Sequence, residues 1–193
     1  QNALGGQINI KTLDPKSYKV IEGNFSIQNY NTTNFNLFYS NKLNKNLSYS
    51  TAISKYYSDG WMTNKQLINT EEIHLNNTNS KDEQLLRTKL LYKNKNIFAK
   101  LTMLYADINN KYDAWTPDNN GFVTYTDYRG YDTQQSKALS LYLKNSFDNY
   151  QLISISSYSD NDILYSYDAD WGNDEFWTNE PYNFDNYYYG YNS

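Results

Sequence analysis

The sequence has no cysteine, one histidine, and no apolar run near the roughly 20 residues that a membrane helix needs. Without cysteine, disulfide scaffolds and thiolate metal sites are excluded. The single histidine, His74, sits in the polar stretch HLNNTNS and reads as a solvated loop residue; alone it cannot make a histidine-based metal site. A basic surplus is missing too: 17 Lys and Arg stand against 21 Asp and Glu, for a net charge of -4 and a pI of about 5.0. That is the wrong sign for a nucleic-acid partner. No P-loop, HExxH, Ser-His-Asp or paired-cysteine arrangement occurs, and no nucleophile–base pair is visible. We therefore expect neither enzymatic activity nor a cofactor. Amphipathic helical periodicity is also scarce.

Aromatic residues are abundant. There are 22 Tyr, 8 Phe and 4 Trp, 18% of the chain, although the mean hydropathy is only -0.87. Disordered chains are poor in aromatics. Tyrosine suits strands and the wet edge of a membrane, where the ring is buried and the hydroxyl stays solvated.

The dominant pattern is period-two alternation. In LSYSTAISKYY, Leu47, Tyr49, Thr51, Ile53 and Tyr57 share one face, while Ser48, Ser50, Ala52 and Ser54 take the other. Ile21, Gly23, Phe25 and Ile27 alternate with Glu22, Asn24, Ser26 and Gln28. Ile97, Ala99, Leu101, Met103 and Tyr105 form another apolar row, and Leu139, Leu141 and Leu143 a further one. Seven strands follow, at about 18–28, 32–42, 47–58, 83–93, 97–108, 136–146 and 150–165. The turns at 43–46, 94–96 and 148–149 are tight and fall at one end; long segments at 59–82, 109–135 and beyond 166 fall at the other.

Strands of ten or more residues, with short turns on one side and long loops on the other, suit a bilayer-spanning sheet better than a soluble one. In hydrocarbon each unpaired backbone group costs several kcal/mol, so such a sheet must close on itself. The expected fold class is all-β: an antiparallel up-and-down transmembrane β-barrel with lipid-facing apolar rows and a polar interior. Seven strands make only a partial barrel, so we expect a piece of a longer chain, with free first and last edges.

The opening, QNALGGQINIKTLDP, reads as a short strand with Ile8 and Ile10 on one side and Asn9 on the other. Gly5-Gly6 precedes it, and Pro15 ends it. Ala3, Gly5-Gly6, Ile8-Asn9-Ile10, Thr12 and Pro15, placed just before a long meander, resemble the close of the plug domain in TonB-dependent outer-membrane receptors. Gln7 and Leu13 depart from that pattern. SYSDNDILYSYDADWGN is similar to a strand and outer loop of the siderophore-receptor-like branch. The resemblance implies that residues 1–15 end a plug domain and that residues 16–193 begin the barrel. It implies an outer-membrane location and active transport without covalent chemistry. The partners it implies are outer-membrane lipid, a ferric siderophore as cargo, and TonB with its inner-membrane energy-transducing complex. Cobalamin, haem or glycan cargo, a passive porin or adhesin-like barrel, and a soluble carbohydrate-binding sandwich are the alternatives.

Candidate ligand contacts lie in the long loops. Trp115, Tyr128, Arg129 and Tyr131 offer stacking and a guanidinium that would bind a carboxylate or catecholate. Asp168, Asp170, Trp171 and Trp177 lie in an acidic aromatic stretch that reads as a ligand surface, a calcium site through oxygen ligands, or solvated loop with rim packing. Tyr56, Tyr57 and Trp61 fit an aromatic belt. Inward-facing Ser, Asn, Lys and Glu would form a hydrated interface with the plug, one that can loosen.

Overall fold

The computed structural model describes residues 10–68, 71–76, 78–116, 121–128, 130–179 and 191–192, with the backbone alone for 66–68, 71–76, 179 and 191–192. The chain is all-β. Its elements are β1 (Val20–Gln28), β2 (Thr32–Lys42), β3 (Leu47–Ser58), β4 (Thr63–Ile68), β5 (Glu71–Asn76), β6 (Lys81–Lys93), β7 (Ile97–Lys111), β8 (Val123–Thr124), β9 (Tyr131–Ser146), β10 (Gln151–Asp168), α1 (Asp174–Asn179) and β11 (Tyr191–Asn192).

Seven long strands form one antiparallel up-and-down sheet, ordered β1-β2-β3-β6-β7-β9-β10, with the two residues of β11 pairing beside the end of β10. Among the described residues the sheet is open, with β1 at one edge. The turns explain the register. Asn44 Oδ1 accepts the N–H groups of Asn46 (2.9 Å) and Leu47 (3.0 Å). Asn94 Oδ1 does the same for Asn96 (2.9 Å) and Ile97 (2.7 Å). The same Asn-Lys-Asn sequence followed by an aliphatic residue builds both turns, through the side-chain turn mimicry of asparagine. At the β9–β10 turn the Phe147 and Tyr150 rings stack at 4.4 Å. These three turns share one end. The β1–β2 turn lies at the other, with Tyr30 and Asn31 at φ 61 and 51, the double left-handed conformation of a tight hairpin turn.

The register aligns the alternation of every strand from β1 to β9. Leu37 and Leu86 flank Ile53, and Leu90 and Leu141 flank Leu101. One face of the sheet is thus an apolar band from Ile21, Phe25 and Ile27 across to Leu139 and Leu143. The other carries Ser40, Ser50, Lys89, Lys100 and Ser136. The distribution is inverted relative to a water-soluble domain. Ile21, Phe25, Ile27, Phe35, Ile53, Leu86, Met103, Leu139 and Leu143 are all exposed, while Ser40, Ser50, Lys89 and Ser136 are buried. Among the described residues Met62 is the one buried hydrophobic side chain.

The long segments hold more structure than their sequence suggests. β5, β4 and β8 form a second, three-stranded sheet, in which β4 and β8 run parallel. TNKQLI and EEIHLN are short and weakly alternating, so no strand was expected there. β7 and β9 also run beyond their expected ends, to Lys111 and back to Tyr131. Those extensions are polar, and their pairing carries no apolar signal.

Candidate functional site

Residues 10–17 form a strap without regular secondary structure, and they lie on the polar face near the tight-turn end. Lys89 Nζ, on a side chain only 6% exposed, donates to the carbonyls of Thr12 (3.1 Å) and Leu13 (2.8 Å) and to Asp14 Oδ1 (3.0 Å). Lys100 Nζ reaches both Asp14 oxygens, at 3.1 and 3.3 Å. The Lys16 N–H donates to Ser40 Oγ at 2.8 Å, and Pro15 is buried between these anchors. Burial pushes the Asp14 carboxyl up, but the two ammonium groups outweigh it and hold the group below the usual carboxylate range. Ile10 is 80% exposed. Gly5, Gly6, Ile8 and Asn9 of the opening motif lie outside the described residues. The strap contacts were missed from sequence because those of Lys89 and Lys100 join residues 75 or more apart and that of Lys16 joins residues 24 apart. The available signal was a pair of lysines on the polar face of neighbouring strands.

The long-loop end gathers three of the expected ligand residues, Trp115, Trp171 and Trp177, into two aromatic groups. Trp115 and Trp171 meet edge to face at 4.6 Å, and Tyr167 stacks on Trp171 at 6.4 Å. Tyr112 joins them through Tyr165 (4.8 Å) and Tyr167 (6.3 Å). The second group holds Trp177, which contacts Phe176 (5.0 Å), itself stacked on Tyr125 (4.3 Å). Asn173 ties this group to the small sheet by donating to the carbonyls of Tyr125 (2.6 Å) and Lys65 (3.4 Å). Gly172 is required here, since a Cβ would lie 2.3 Å from Trp177 Nε1. Tyr131 stands apart, at the base of the loops, with Lys111 Nζ 3.8 Å over its ring. Tyr128 is exposed, and Arg129 lies outside the described residues.

The long-loop end also holds two buried carboxyls, Asp168 and Asp113, with Asp127 and Asp170 nearer the surface. Asp168 is 5% exposed, and its pKa is pushed up to about 7: burial contributes most, Asp170 and Asp127 add to it, and the Thr126 hydroxyl opposes it. Thr126 Oγ1 contacts both Asp168 Oδ2 and the Tyr128 carbonyl. A hydroxyl has one proton, so both contacts are hydrogen bonds only when protonated Asp168 donates to Thr126 and Thr126 donates onward. Asp113 accepts the Gly130 N–H at 2.6 Å, and burial raises its pKa as well. Burial, then Asp170 and Asp174, raise Asp127. Among the described residues no group of three or more His, Asp or Glu is arranged to hold a metal ion. Asp168, Asp113 and Asp127 thus form an acidic clamp whose carboxyls are all held above the usual carboxylate range, mainly by burial. No family model, no curated protein and no solved structure matches the chain.

Proposed function

We propose that the chain is part of the wall of a TonB-dependent outer-membrane transporter, most simply a receptor for ferric siderophores. The carrying observation is the two-faced sheet: its apolar face is open to the surroundings, and its polar face holds the strap. From Ile97 to Tyr105 the apolar row covers eight residue steps, ~27 Å along the strand. At the usual barrel tilt that is ~20 Å of height, against an apolar band of ~25 Å in outer-membrane barrels. In water this exposed surface would be an aggregation hazard, and in lipid it is the expected lining.

The strap supports the same reading. It runs over the polar face at the end where outer-membrane barrels keep their short turns. A plug followed by a short linker would leave the chain there. Its anchors are charged and partly hydrated, so they hold the linker without an apolar seal. The long-loop end offers aromatic surfaces for capturing a ligand before the plug moves. Force delivered through TonB would act on the plug, and the ion-paired strap would keep the linker fixed to the wall.

The test is uptake. Cells lacking the native gene, and cells carrying it in full, are given labelled ferric siderophores with TonB present or deleted. Uptake that requires both is expected. Receptor-dependent uptake that persists without TonB overturns the energised mechanism and favours a porin.

A further inference from the structure

The net charge of the chain is -4, yet its tight-turn end holds a concentrated positive field. A cleft of about 490 Å³ opens beside the strap, lined by Lys11, Lys93, Lys95, Lys100 and Lys144 with a single carboxylate, Asp14. Asp14 is already engaged by Lys89 and Lys100. Among the described residues no carboxylate pairs with Lys11, Lys93, Lys95 or Lys144. Lys11, Lys93, Lys95 and Lys144 therefore line one cleft with no paired carboxylate among the described residues. Their mutual repulsion has a cost unless an anion enters, and the cleft's volume is in the range of small-molecule sites.

The side chains that floor the cleft identify the ligand's route. Phe98, Lys100, Tyr142 and Lys144 belong to the polar face, and Phe98 meets Tyr142 edge to face at 5.8 Å. Ala99 and Leu143, on the same strands, point to the apolar face. The cleft is thus reached from the water-filled side of the sheet, where the strap lies, rather than from the side a lipid tail would cover. Lysines are mobile point charges, suited to carboxylate or phosphate groups in several geometries.

We propose that this cleft binds a small, multiply charged oxyanion bearing carboxylate or phosphate groups. The site stands on its own geometry. Under the transport reading it adds that the cargo is anionic and is held at the tight-turn end, away from the acidic clamp of the loops.

The test uses the full chain in detergent and in nanodiscs of zwitterionic lipid, titrated calorimetrically with citrate and with inorganic pyrophosphate. Saturable binding is expected. It should weaken at least about tenfold when salt rises from about 50 to about 300 mM, as the Debye length shortens. The double variant Lys95→Gln/Lys144→Gln should lose about tenfold or more at low salt. Lys137→Gln, on the apolar face, should change nothing. Circular dichroism checks that each variant keeps its sheet. Absence of saturable binding, equal affinity in the double variant, or an equal loss in Lys137→Gln overturns the proposal. Nanodiscs containing phosphatidylglycerol separate the sources. Retained citrate binding assigns the site to a diffusing anion, and binding abolished there alone assigns it to a headgroup phosphate. Neither result depends on TonB, so failed uptake leaves the site standing, and failed anion binding leaves the transport reading standing.

Discussion

Replacing Lys89 with methionine should release the strap from the sheet. The Lys89 side chain is 6% exposed and holds three acceptors, while Asp14 is 37% exposed and keeps Lys100 after the change. Removing one partner of a buried ion pair costs about 3–5 kcal/mol. Because Asp14 retains a cation and meets water, the lower limit applies. About 3 kcal/mol corresponds to roughly two decades in the opening equilibrium. Hydrogen exchange at amides 12–14 and 16, including the Lys16 N–H bound to Ser40, should speed up by that factor. Tryptic cleavage after Lys11 and Lys16 should follow it. Asp14→Asn leaves the two carbonyl acceptors of Lys89 in place and should accelerate exchange by less. Unchanged protection in Lys89→Met, with the sheet intact by circular dichroism, would refute the claim that this lysine anchors the strap.

The two ends of the sheet should respond to pH with opposite signs. Asp168 has a raised pKa, so its contribution is fully present below about 4 and is lost as pH rises through about 7; the Trp115–Trp171 fluorescence should shift over that window, and Asp168→Asn should abolish the shift. Asp14 is depressed, so the strap's contribution is present above its unfolded value and fades only as pH falls below about 4; strap exchange measured from neutral to strongly acid pH checks this. Gly172→Ala sets a Cβ against the Trp177 indole and should destabilise the loop cluster by about 1–3 kcal/mol, read as faster exchange in the backbone of α1. Leu101→Lys, in the middle of the apolar band, should lower stability in lipid by about 2–4 kcal/mol; Thr102→Lys, on the polar face, should be near neutral in the same denaturant titration.

The strands were legible because lipid-type alternation is local. Each apolar residue repeats two positions on, and the Asn-Lys-Asn turns punctuate the repeat at Asn44 and Asn94. Strand ends were misjudged where chemistry changes without a change in pairing. Tyr131–Gln135 is polar and still hydrogen-bonded to β7, so the start of β9 could not be seen from hydropathy. β4 and β5 were missed for a similar reason. The site was less legible because its contacts are distant in sequence. Trp115 and Trp171 could each be flagged as aromatic loop residues, but their meeting depends on β7, β9 and β10 being neighbours. Asp168 and Asp170 could be flagged as acidic, but the burial that raises the Asp168 pKa, and its contact with the Thr126 hydroxyl, could not. The alternation puts Lys89 and Lys100 on the polar face, while their carboxylate lies in the opening segment.

In a transporter wall the apolar face of the sheet meets lipid and the polar face meets water. A chain without cysteine permits a direct test by single-cysteine scanning along β7 in lipid vesicles, with a charged, membrane-impermeant thiol reagent. Ala99, Leu101, Met103 and Tyr105 should be protected when replaced by cysteine, and Thr102, Leu104 and Ala106 should label. That two-residue rhythm is the predicted result. Equal labelling of both faces, or a protein that stays monomeric in buffer without detergent, would contradict the account.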